Sequence, residues 1–254
     1  MKRNIKGIIF DIDGVLEFQG KVCDGAIETI NSLRDKGIIL RFLTNSTLKS
    51  RKSCTERLKK AGFRIFEEEV ITASYATAEY LKSLTPKSCW VMLEREGLEE
   101  FRDFTQDRKD PEYIVMGDNR TNFNFDCLNE VLRLLLKGVK FIAMIPELTD
   151  ESMGEVELNV GSWTQMLERA SGVKAVYIGK PNHYAFELTL KSMNLEKKNI
   201  IIVGDQISTD ILGAKNFSIR SILLRTGEFK ESDLDSEIKP DYIFDTIRDV
   251  LSLF

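Results

Sequence analysis

The sequence predicts a doubly wound α/β fold, a parallel sheet flanked by helices, with a smaller α/β unit inserted into it. Three observations carry that expectation. Short β-branched and aromatic runs alternate with amphipathic stretches from the start of the chain. The first two helical stretches close on Gly37 and Gly62, as C-caps do, at a spacing that suits right-handed crossovers between parallel strands. The middle of the chain then repeats the alternation with a rhythm of its own.

In order, IKGIIF reads as a strand, 25–37 as a helix, IILRFLT as a second strand and 50–62 as a second helix. The C-terminal part returns to the theme with a helix at 182–194, the buried strand NIIIV, a helix at 209–216, the strand IRSILL and a helix at 245–253. Between them lie CWVML, a helical run at 94–104, YIVM, a helix at 123–136, KFIAMI and a helix near 162–170. Short hinges near Thr85 and Gly179 divide the chain into a core of 1–84 with 180–254 and an inserted unit of 85–179. No internal repeat, low-complexity tract or long flexible linker interrupts it.

Composition narrows the function. The chain has 254 residues, 43% hydrophobic and 30% charged, enough for a sizeable core and incompatible with disorder. Thirty-six basic against 40 acidic residues give a net charge of −4 and a pI near 5.4, so the electrostatic footprint of a general nucleic-acid binder is missing. The apolar runs fall far short of the roughly 20 residues of a membrane span. The segment MKRNIKGIIFDID has a basic start, but its apolar run ends after four residues in carboxylates, unlike a signal peptide. The expectation is a cytoplasmic protein without membrane or nucleic-acid partners. Cys23, Cys54, Cys89 and Cys127 form no CxxC pair and read as buried thiols in a reducing compartment. With one histidine, His183, and no GxSxG context, chemistry falls to carboxylates and lysines.

Those residues gather at strand ends, where open α/β sheets place their ligands. The strand Ile8–Phe10 runs into Asp11-Ile12-Asp13-Gly14. The two carboxylates share a face if the strand continues and diverge if Gly14 starts a turn, and either way they call for a cation or a proton. The second strand ends in Leu43-Thr44-Asn45-Ser46, a hydroxyl and backbone N–H groups at a helix start, suited to phosphate oxygens. Gly179-Lys180-Pro181-Asn182 and Gly204-Asp205-Gln206-Ile207-Ser208-Thr209-Asp210 supply a lysine and two further acids. Each alone has a simpler explanation: turn-forming aspartates, an N-cap, a surface lysine.

As an ordered set, DIDGV, LTN, GKP and GDQISTDI resemble the four motifs of the haloacid-dehalogenase-like (HAD) phosphatase superfamily, and the resemblance covers the whole chain. TNSTLKSRKS, LRLLLKGVKFIA and LLRTGEFKESDL are most similar to its NagD-like subfamily IIA, in the branch of phospholysine phosphohistidine inorganic pyrophosphate phosphatases. There is room for only a flap, one helix and one strand between Asp13 and Thr44, so the extra unit between Thr44 and Lys180 resembles a C2-type cap.

The resemblance implies a Mg²⁺-dependent phosphatase of small phosphorylated metabolites. Asp11 would be the nucleophile that forms an aspartyl-phosphate, and Asp13 the general acid and base, a residue that dehalogenases of the family lack. Mg²⁺ would be held by the Asp11 side chain, the Asp13 backbone carbonyl and Asp205, with Asp210 supporting the metal through water or orienting Lys180. Lys180 would bridge Asp11 and the phosphoryl group, with Thr44 and the Asn45 backbone holding its oxygens. Ser208, where many relatives carry an acid, departs from the pattern, as does Asn159 where the cap's GxGS segment starts with glycine. Arg120 and Asn122 are candidates for leaving-group contacts, with plain solvation the simpler reading. His183 reads as a helix start, and Lys49, Arg51, Lys52, Arg57, Lys59 and Lys60 as the solvated face of a helix. Relatives often dimerise through their caps, which makes a homodimer an expectation. The alternatives are a phosphate-binding protein without turnover and a phosphotransferase.

Overall fold

The computed structural model describes residues 5–151 and 154–254, so the basic start of the chain, Lys2 and Arg3, lies outside the described residues. The chain opens on β1 (Gly7–Phe10), buried throughout, and turns into a short flap hairpin of β2 (Glu17–Phe18) and β3 (Lys21–Val22). Helix α1 (Ala26–Asp35) buries Ala26, Thr29, Ile30 and Leu33, the spacing of one helix face. Next come β4 (Ile39–Thr44) and α2 (Arg51–Lys60), whose N-cap Ser50 accepts from the Ser53 N–H.

β5 (Val70–Thr72) and α3 (Ala73–Ser83) were not anticipated from the sequence. Three residues are too few to show a period, and α3 buries Ala73, Ser74, Ala76, Thr77 and Ala78 beside Leu81, a face with little hydrophobic contrast.

The inserted unit runs through β6 (Cys89–Met92), β7 (Tyr113–Met116), α4 (Phe125–Leu136), β8 (Lys140–Ala143), a hairpin of β9 (Thr149–Asp150) and β10 (Glu157–Leu158), α5 (Val160–Ser171) and β11 (Val176–Tyr177). The run expected to be helical at 94–104 is a 3₁₀ helix at Arg95–Phe101. Four of these strands form a parallel sheet in the order β11-β8-β7-β6.

The chain returns through α6 (His183–Met193) and β12 (Ile200–Gly204). The helix expected at 209–216 starts as a π turn at Ile207–Ile211 before α7 (Leu212–Phe217). After β13 (Arg220–Leu224) comes an unanticipated edge strand, β14 (Tyr242–Phe244), only partly buried and so without a clear apolar signature. The terminal helix expected at 245–253 is a 3₁₀ helix at Ile247–Leu253.

The six core strands are all parallel, in the order β14-β13-β12-β1-β4-β5. The chain winds outward from β1 to β5, then crosses back to β12 and winds the other way. That reversal puts a switch point between β1 and β12, and the crevice at their carboxyl ends is where such sheets take ligands. Both faces are apolar because both are covered. Ile8, Phe10, Leu40, Phe42, Ile201 and Val203 pack on one, with Phe10 and Phe42 stacked at 6.2 Å. Ile9, Leu43, Ile71 and Ile202 pack on the other, in an apolar cluster continuous with Met92, Ile114, Met116 and Ile142 of the inserted sheet. No helix among the described residues is long and apolar enough to cross a membrane.

Candidate active site

The ends of β1, β4 and β12 and the segment after β11 converge on one cleft of about 480 Å³, lined among others by Asp11, Asp13, Thr44, Asn45, Lys180 and Glu228. Asp205 and Asp210 are fully buried beside it. A second cleft, about 390 Å³ and lined by Tyr80, Leu84, Tyr113, Val173 and Val176, has no carboxylate in its walls.

Asp11 follows the last residue of β1, and its Oδ1 accepts from the Ile12 N–H at 2.7 Å. The same Oδ1 lies 2.8 Å from Lys180 Nζ, and Lys180 Nζ donates to Asp210 Oδ1, also at 2.8 Å. All three side chains are buried. Of the two roles left open for Asp210, orienting Lys180 is the one with a direct contact.

Asp13 points away from this group. Its carboxylate is 45% exposed to the cleft and accepts from the Thr44 hydroxyl at 3.3 Å. Gly14, which turns the chain just after them, has φ +85°, and a Cβ there would lie 2.0 Å from Asp205 Oδ2. Only glycine lets the chain take this turn while Asp205 sits against it.

One oxygen each from Asp11, Asp205 and Asp210 lies within 4.8 Å of the others. Three carboxylates against the Lys180 ammonium leave an excess of two negative charges, with like-charge repulsion of about 4 kcal/mol per pair at roughly 4 Å and an effective dielectric near 20. The titration behaviour follows. Burial, then the charge of Asp210, pushes Asp205 up to about 8, although the Glu228 N–H donates to its Oδ2 at 2.7 Å. Burial also raises Asp11 well above the usual carboxylate range, against the pull of Lys180. For Lys180, burial opposes the charge, but Asp11 and Asp210 outweigh it and hold the ammonium above the ordinary lysine value. Asp205 Oδ1 is buried with no hydrogen-bond partner among the described residues. An all-oxygen donor set with surplus negative charge and an unused buried oxygen fits a hard divalent cation.

Some expected features sit elsewhere. Arg120 lines the cleft but is spent on acids: it is 3.0 Å from Asp118, 3.7 Å from Asp150 and paired with Glu157. Asn122 bonds Asn119 and Thr121 and is not in the cleft wall. Ser208 is exposed on the π turn. Asn159 caps α5 through the Val160 N–H and borders the cleft. His183 starts α6, exposed and stacked on Phe217 at 4.6 Å, as a helix-start residue does. All four cysteines are free, with Cys23 half-buried and the other three buried.

Arg57 corrects the reading of its basic cluster as the solvated face of a helix. Its guanidinium leaves the α2 face to meet the buried Glu17 of the flap at 2.7 Å and Asp13 at 3.8 Å. Glu147 and Glu228 were also missed. Glu147 follows β8 and bonds the Asn45 side chain, which in turn holds the main chain of Lys180. Its position shortly after the apolar run KFIAMI was the signal available.

Comparison with known proteins agrees with this geometry. The family model described as haloacid dehalogenase-like hydrolase matches residues 8–105, and a second, HAD-hydrolase-like, matches 177–250. The chain is 30% identical over 242 residues to haloacid dehalogenase-like hydrolase domain-containing protein 2 of Mus musculus, covering 95% of this chain and 92% of the relative. It is 31% identical to the phospholysine phosphohistidine inorganic pyrophosphate phosphatase of Danio rerio, covering 96% and 92%. Among solved structures, the p-nitrophenyl phosphatase from Archaeoglobus fulgidus superposes with a TM-score of 0.92 at 29% identity over 99% of this chain and 100% of that one. NagD from E. coli K-12 does so with a TM-score of 0.88 at 28% identity over 96% and 97%.

Proposed function

The chain belongs to the haloacid dehalogenase-like hydrolases, in their NagD-like subfamily IIA, and on that premise we propose that it is a Mg²⁺-dependent phosphatase working through an aspartyl-phosphate on Asp11. The observation that carries this is the buried Asp11–Lys180–Asp210 chain of contacts, 2.8 Å at each step, at the switch point of the sheet. On this reading 1–84 and 180–254 are the catalytic core and 85–179 the C2-type cap.

Lys180 and the Ile12 N–H both engage Oδ1 of Asp11, so Oδ2 is the oxygen that meets phosphorus. The carboxylate displaces the leaving oxygen, forming the Asp11–phosphorus bond as the ester bond breaks. Asp13, exposed to the cleft, delivers a proton to that leaving oxygen. It then takes a proton from the water that attacks phosphorus, releasing phosphate and restoring Asp11. Lys180 offsets the repulsion between Asp11 and the phosphate, while Thr44 and the backbone of Asn45 hold the phosphoryl oxygens. Asp11, the Asp13 backbone carbonyl and Asp205 would hold Mg²⁺, which supplies the positive charge the carboxylates lack.

A cleft of about 480 Å³ supports a small phosphorylated metabolite as substrate. The names of the relatives extend the candidates to aryl phosphates, pyrophosphate and N-phosphoryl compounds. The test is phosphate release from a panel of small phosphoesters, pyrophosphate and phosphoramidates, with and without Mg²⁺, for the wild type and Asp11→Asn. Turnover that requires both Mg²⁺ and Asp11 is expected. Release that persists in Asp11→Asn overturns the mechanism, and tight phosphate binding without release points to a binding protein. Transfer to an added alcohol in competition with water identifies a phosphotransferase.

A further inference from the structure

Glu147 joins the cap to the catalytic lysine by a route the reaction itself does not use. Its Oε1 accepts from Asn45 Nδ2 in a short contact. Asn45 then holds Lys180 from both sides, its Oδ1 accepting from the Lys180 N–H at 2.8 Å and its Nδ2 donating to the Lys180 carbonyl at 3.0 Å. The backbone of Glu147 is anchored in turn: its carbonyl accepts from the Gly161 N–H at 2.8 Å, and a Cβ at Gly161 would lie 2.0 Å from the Pro146 oxygen. The start of α5 therefore fixes the residue that holds Asn45.

The other carboxylate oxygen, Oε2, is buried without a hydrogen-bond partner among the described residues. Burial pushes the Glu147 carboxyl up to about 7, with the Asn45 hydrogen bond pulling the other way. A brace needed only for stability gains nothing from a buried, half-satisfied carboxyl, because the unmade bond costs free energy.

We propose that Glu147 is a positioning residue, through which the cap fixes the Asn45 amide and hence the main chain that carries the Lys180 ammonium to Asp11. The kinetic side of this rests on the phosphatase reading above. Without Glu147 the Asn45 amide side chain loses its tether on the cap side and the Lys180 backbone loses a fixed partner, while Thr44, at the end of β4, stays in place. The defect falls on kcat more than on KM.

The test compares Glu147→Ala, Glu147→Gln, Asn45→Ala and the Glu147→Ala/Asn45→Ala double variant of the full chain, with Mg²⁺ and p-nitrophenyl phosphate. Loss of a hydrogen bond between charged or strongly polar groups predicts a fall in kcat of about 10- to 100-fold for Glu147→Ala, with KM within about threefold. Glu147→Gln retains activity within about threefold because its amide oxygen accepts the same bond. The double variant falls no further than Asn45→Ala. Amide exchange at Lys180 rises in Glu147→Ala at an unchanged melting temperature. Normal kcat in Glu147→Ala, multiplied losses in the double variant, or unchanged protection at Lys180 each overturn the proposal. If the wild type turns over no phosphoester, the phosphatase reading has failed, and the exchange at Lys180 still decides this one.

Discussion

Lys180 and Asp210 form a buried ion pair at 2.8 Å, and the same ammonium lies 2.8 Å from Asp11. Asp210 thus sets where the lysine charge rests relative to Asp11, the proposed nucleophile. In Asp210→Asn the acceptor oxygen remains but its charge is lost. A hydrogen bond to a charged group contributes roughly 1.5–3 kcal/mol, so kcat is expected to fall about 10- to 100-fold. Steady-state kinetics on p-nitrophenyl phosphate measures this, and an unchanged kcat would show that Asp210 does not hold Lys180 for the reaction.

The acid cluster predicts opposite pH trends for the free and the Mg²⁺-loaded protein. Asp205 is raised to about 8 by burial and then by Asp210, and Asp11 is raised chiefly by burial. A folded-state pKa above the unfolded one means the folded chain binds more protons, so this contribution to stability is full below about pH 4 and is lost as pH rises toward 8. Added Mg²⁺ favours the ionised form and so stabilises more at pH 8 than at pH 5. Melting temperatures in EDTA and in Mg²⁺ across that range check it. An increment from Mg²⁺ that is equal at both ends contradicts the assigned ligands.

Arg57 ties the flap to the cleft by pairing with Glu17 at 2.7 Å and standing 3.8 Å from Asp13. Arg57→Met leaves a buried carboxylate unpaired, but the arginine is partly exposed, so solvent screening reduces the loss to about 1–2 kcal/mol. Removing a positive charge beside Asp13 also disturbs the residue proposed to deliver the proton, so kcat/KM falls. Chemical denaturation and steady-state kinetics separate the two effects. Glu17→Gln added to Arg57→Met should restore stability and leave kcat/KM lowered; activity that returns with stability would assign Arg57 to folding alone.

Much of this was legible in the chain because it is local. Alternation marked β1, β4, β6, β7, β8, β12 and β13, and the residues just past three of the core strand ends and after Gly179 supplied the candidate site. β5, β11 and β14 escaped because two or three residues cannot display a period. α3 escaped because its buried face is built from alanine, serine and threonine.

The sequence by itself determined the fold class through its periodicity and the family through its ordered motifs, and it singled out Asp11, Asp13, Thr44, Lys180, Asp205 and Asp210 as candidates, because residue type at strand ends is a property of neighbours along the chain. Tertiary structure alone decided that Arg57 turns into the cleft while Arg120 is neutralised by three acids, and that Asp210 holds Lys180 directly. It also decided that Glu147 meets Asn45 across 102 positions of sequence. The physical reason is one of range: a side chain's charge and hydrogen-bonding capacity are written at its own position, but its partner is chosen by how two sheets pack, and no local pattern encodes that distance.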